Sequence, residues 1–108
     1  IIDTAAGTHC DVIAALEPCD LAIAVTEPTP FGAHDLNLIM QLLAKLEKPK
    51  KVVLNKSDVG DKDLVLNIVK KHKSEIISEI PYSKEIIKKY SEGEPIEDKA
   101  IQKIAESL

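Results

Sequence analysis

The chain has 108 residues, 44% hydrophobic and 30% charged, with 14 basic against 18 acidic side chains and a formal net charge of −4. That length holds one domain at most, with the apolar fraction of an ordinary globular core. No run approaches the roughly 18 apolar residues of a membrane span, and a pI near 5.3 with three aromatic residues (Phe31, Tyr82 and Tyr90) argues against a basic, base-stacking nucleic-acid surface. Cys10 and Cys19 have neither C-x-x-C spacing nor a dense framework around them, which fits a reducing cytoplasm better than a disulfide-stapled domain. The chain opens on Ile1-Ile2, inside an apolar run and without Met or a basic leader. It is expected to be part of a larger protein.

In chain order, Ile1-Ile2-Asp3 reads as the end of a strand, and Asp11 to Leu16 as a helix stopped near Pro18. Leu21 to Thr26 is a continuous apolar run of strand length, the pattern of a strand covered on both faces. Thr29-Pro30 puts a hydroxyl at an N-cap and proline at the first helical position. Leu36, Ile39, Met40 and Leu43 then give the i, i+3, i+4, i+7 stripe of a helix that exits at Pro49. Lys51 to Asn55 is the next strand. Asp61 caps a helix running to Lys73, striped by Val65, Ile68, Val69 and His72, with lysines in its last turn where the helix dipole favours them. Ile76 to Ile80 is a strand closed by Pro81; Ser83 to Tyr90 is a short helix; Ser91 to Pro95 is a turn. Glu97 to Leu108 is a final helix with Ile101, Ile104, Ala105 and Leu108 on one face.

The order β-α-β-α-β-α-β-α-α predicts an α/β fold, three-layered, with about four parallel strands and flanking helices. Ligands of such sheets bind beyond the carboxyl ends of the strands, which directs attention to the residues just after each one. Asp3-Thr4-Ala5-Ala6-Gly7 places a carboxylate at a strand end before a small-residue loop. In nucleoside triphosphatases an Asp there holds Mg²⁺, usually through water, and a glycine lets a backbone N–H approach a terminal phosphate. The plainer reading is an Asp capping a turn.

Asn55-Lys56-Ser57-Asp58 offers an amide for a base edge, a carboxylate able to accept from two guanine ring donors, and a lysine stem to cover a base face. The alternative is a polar turn that caps the next helix. Thr26 to Gly32 is a rigid strand-to-helix turn that presents a helix N-terminus to an anion or a partner, or simply stops one element and starts another. Cys10 and Cys19 read as packing residues rather than ligands. His9, His34 and His72 lack the spacing of a zinc site or a catalytic triad, and Glu92 and Glu94 bracket a glycine turn as solvated surface.

Together the stretches IIDTAAGTHCDVIAAL, CDLAIAVTEPTPFGAHDL, VVLNKSD and IPYSKEIIKKYSEGEPI resemble the MinD/Mrp/nitrogenase iron-protein class of P-loop ATPases. The likeness is greatest to the MinD-superfamily type with an inserted ferredoxin domain, and TEPTPFGAHDL is its most specific block. The resemblance covers nearly the whole chain in the family's order and implies the carboxyl-terminal part of such an ATPase domain over residues 1–108. It makes Asp3 the Mg²⁺-linked Asp of the second switch and puts Gly7 in that switch. Asn55 is implied to contact adenine, and Pro81 and Tyr82 to line the base pocket through backbone atoms.

Two departures stand out. Ala5-Ala6 replaces the two prolines usual in the switch, and no G-x-x-x-x-G-K-[ST] phosphate loop can be written with Gly7, Gly32, Gly60 and Gly93. Cys10 falls where the nitrogenase iron protein has a cluster-ligating cysteine, but no cluster site is complete in this chain. The resemblance thus implies a cytoplasmic parent protein that uses ATP and Mg²⁺ and forms a homodimer. It also implies an iron–sulfur cluster in the parent and a redox or iron–sulfur partner protein. The rival readings are a GTPase using Asn55-Lys56-Ser57-Asp58 as its guanine reader, and a non-catalytic interaction domain on the same fold.

Overall fold

The computed structural model describes all 108 residues. The elements in chain order are α1 (Cys10–Leu16), β1 (Ala22–Thr26), α2 (Pro30–Lys45), β2 (Lys50–Asn55), α3 (Lys62–Lys71), β3 (Ile76–Ile80), α4 (Lys84–Ser91) and α5 (Lys99–Glu106). The strands form one parallel sheet in the order β1-β2-β3. Ala22 to Thr26 pair with Lys50 to Leu54, and Asn55 pairs with Ile80. No helix is long and apolar enough to cross a membrane.

Capping chemistry sets the helix starts. Thr29 accepts from the Gly32 N–H ahead of α2, Asp61 from the Asp63 N–H ahead of α3, Ser83 from the Ile86 N–H ahead of α4, and Asp98 from the Ala100 and Ile101 N–H groups ahead of α5. Each supplies a partner to backbone donors that have none inside the helix. Side chains alternate across the sheet. Ala22, Val52 and Leu54 face α1, α2 and α3, where Val12, Leu36, Met40, Leu43, Val65 and Val69 close the main core. Val25, Val53 and Ser78 pair in one row across the strands. α5 packs on β3, and the Ser78 hydroxyl donates to Ala100 O at 2.7 Å. Coverage fades toward β1, so Val53 is buried while Val25 is 64% exposed. The layers are therefore helix, sheet, helix, with the third layer thin.

The sheet has three strands rather than four. Ile1-Ile2-Asp3 is not a strand, and residues 1–9 are irregular and exposed. Two apolar residues with no neighbouring strand have nothing to satisfy their ladder groups, and β1 is consequently an edge. The last helix is also shorter than its stripe suggested: Ile101 and Ile104 are half-buried, but Ala105 and Leu108 are exposed. The solvent-accessible area is 7375 Å². A self-contained folded monomer of this mass exposes about 5,900 Å². The chain thus shows about a quarter more surface than its size calls for.

Candidate functional site

Because β1, β2 and β3 run parallel, residues 27–32, 55–61 and 81–83 emerge at one edge of the sheet. Side-chain and backbone bonds tie these three loops together. Lys56 takes a left-handed conformation (φ 48°) and reaches back to Glu27, Nζ to Oε1 at 3.1 Å. The Asp61 N–H donates to Pro28 O at 3.0 Å, and Gly60 (φ +131°) packs so closely on that carbonyl that a Cβ has no room. The buried Ser57 donates its N–H to Ile80 O at 3.0 Å, and Asp58 Oδ1 accepts the Tyr82 N–H at 2.8 Å.

Asn55 stands at the end of β2, half-buried, with its Oδ1 accepting the Lys56 N–H at 3.0 Å. That contact orients the amide and leaves its NH₂ donors for another partner. Pro81 and Tyr82 lie across from it at the end of β3, both exposed. These three predicted residues therefore stand at the ends of the paired strands β2 and β3, and Asp58 ties its loop to Tyr82. Sequence reading gave Asp58 only a choice between guanine reader and turn cap. Its bond to Tyr82 spans 24 residues and has no local signal. Gly60 set between aspartates just after a strand was the one visible hint of a tight loop.

Asp3 and Gly7 lie elsewhere. They line an open groove of about 800 Å³ against β1 and the start of α2, with Thr26, Glu27 and Gly32 on its wall. Asn55, Pro81 and Tyr82 are not part of it. Gly7 has φ +106°, a backbone conformation that favours glycine. The wall is firm: Thr26 Oγ1 donates to Gly32 O at 2.9 Å, and the Gly32 N–H donates to Thr29 Oγ1 at 3.0 Å.

The cysteines divide. Cys19 is half-buried with its Sγ 3.2 Å from Ala15 O, whereas Cys10 is exposed at the start of α1 and is not a packing residue. Its position precedes the first inward residue of that short helix, Val12. No three His, Cys, Asp or Glu side chains gather at one point.

No protein-family model matches the chain. An uncharacterized protein of Methanocaldococcus jannaschii is 43% identical over 94 residues, covering 87% of this chain and 31% of its own length. An uncharacterized ATP-binding protein of the same organism is 36% identical over 88 residues, covering 82% of this chain and 34% of its own. The chain spans about a third of the length of these curated relatives. Among solved structures, the MinD cell division protein of Aquifex aeolicus superposes with a TM-score of 0.63 at 28% identity, over 76% of this chain and 37% of that one. The MinC:MinD cell division protein complex of that organism gives a TM-score of 0.69 at 27% identity, over 82% and 39%. The fold is that of the MinD-like P-loop ATPases. Within that MinD-like frame the tied loops form one end of the sheet's carboxyl edge, and the groove along β1 forms the other.

Proposed function

We propose that this chain is the carboxyl-terminal part of a MinD-like ATPase domain and carries its base pocket and second switch. The observation that carries the reading is the meeting of Asn55, Pro81 and Tyr82 at one end of the carboxyl edge, on a fold with MinD neighbours and an ATP-binding relative. A nucleotide laid along that edge has its base at Asn55 and its phosphates toward the groove of Asp3 and Gly7. The Asp3 carboxylate has no hydrogen-bond or ion-pair partner within the chain and is a hard oxygen donor, which suits Mg²⁺ held through water. The Gly7 N–H is suited to sense a terminal phosphate, so that binding and hydrolysis order and release residues 3–9. The phosphate loop is supplied from outside these 108 residues.

In the full-length protein, ATP would bridge or order a homodimer. The resemblance to the ferredoxin-bearing MinD-superfamily type supports an iron–sulfur or redox-linked assembly as its target. The test is ATP turnover by the full-length protein. Asp3→Asn should lower it at least about 100-fold while ATP still binds, the scale of losing one preorganised electrostatic group. Turnover untouched by that substitution would sink the reading. The 108-residue chain alone should turn over no ATP, since it lacks the N–H cradle and lysine that neutralise phosphate charge.

A further inference from the structure

We propose that Asp58 is a positioning residue: its carboxylate props the Pro81-Tyr82 turn in the geometry that reads the base. This rests on the base-pocket reading above and deepens it. Between the end of β3 at Ile80 and the first turn of α4, the backbone has little to hold it. Pro81 has no N–H, and the Tyr82 N–H donates to Asp58 Oδ1 at 2.8 Å and to nothing else. Asp58 is itself well anchored. The neighbouring Ser57 is buried and bonded to Ile80 O, the Val59 N–H donates to Lys56 O at 2.9 Å, and Gly60 and Asp61 dock on Pro28.

An anionic acceptor makes the bond to Tyr82 stronger than a neutral one would. The same bond bears on which base is read. A carboxylate that reads guanine turns both oxygens to the ring's N–H and NH₂ donors. Here one oxygen is turned to the backbone of the neighbouring loop. Asp58 therefore acts on the base through Tyr82 and does not touch it.

The experiment measures affinity of the full-length protein for ATP, GTP and XTP by competition with a labelled nucleotide. Asp58→Ala removes the strut and should weaken ATP about three- to tenfold, the range for one solvent-accessible hydrogen bond. It should also lower the ATP-over-GTP preference, because a loose turn discriminates poorly. Asp58→Asn keeps an oxygen acceptor in place and should recover most of both. The preference is a ratio, so a smaller folded fraction leaves it unmoved, and mere destabilisation cannot imitate the result.

If Asp58→Ala binds ATP like the wild type while Asn55→Ala weakens it, the strut is overturned and the pocket stands. If the wild type prefers GTP, and Asp58→Asn loses GTP and gains XTP, Asp58 reads the base directly and the proposal fails. XTP is diagnostic because xanthine presents an acceptor where guanine presents its NH₂. A wild type that binds none of the three overturns the pocket reading itself.

Discussion

Gly60 is the residue on which two loops bear. Its φ of +131° is a region that side-chain-bearing residues rarely adopt, and the Pro28 carbonyl fills the space where a Cβ would stand. Gly60→Ala must then either twist its own backbone or push the Glu27–Thr29 loop away. Backbone strain of this kind costs about 1–3 kcal/mol, and the steric conflict adds to it. The expected loss is about 2 kcal/mol or more, read from a lower denaturant midpoint; an alanine variant as stable as the wild type would mean that the loop yields freely. The Lys56–Glu27 pair joins the same two loops, but with both side chains nearly half exposed it contributes little.

Helices α2 and α3 meet through apolar side chains and one polar contact. His72, just past the end of α3, places Nε2 2.9 Å from Asn37 Oδ1 on α2. Burial first, and then the charges of Lys71 and Lys50, hold its pKa below the ordinary 6.5. The folded state therefore resists a proton that the unfolded chain accepts. This contribution is intact above about pH 6.5 and is lost progressively as pH falls through the lowered folded value. Melting midpoints of the wild type should fall more steeply than those of His72→Gln across that window, and parallel slopes would remove His72 from the account.

Much at this scale was legible. Apolar runs bounded by proline or asparagine marked β1, β2 and β3 to within a residue, and the hydroxyl and carboxylate caps Thr29 and Asp61 marked two helix starts. Periodicity picked out Leu36, Met40, Leu43, Val65 and Val69 as core. What failed was non-local. Ile1-Ile2 has the composition of a strand but no neighbour to pair with. The ties of Asp58 to Tyr82 and of Gly60 to Pro28 exist only once the sheet brings distant loops side by side.

Over the chain as a unit, part of the exposed apolar surface lies along β1 and the adjoining side of α2. Val25, Phe31 and Leu38 are exposed there, at 64%, 83% and 41%. Exposed apolar residues beside an unpaired strand edge are a setting in which further strands and helices add favourably.

The edge position of β1 also sets a clock on its amides. The Ala22 N–H donates to Pro49 O at 2.9 Å, toward β2. Alternate residues of a strand point their N–H groups to opposite sides, so Ala24 and Thr26 follow Ala22 while Ile23 and Val25 point outward to solvent. Deuterium uptake by the 108-residue chain should therefore be staggered along this one strand, fast at Ile23 and Val25 and slow at Ala24. In the full-length protein, a strand laid against β1 should slow the outward pair to the rate of their neighbours. Equal uptake at Val25 in the two forms would show that the edge remains bare in both.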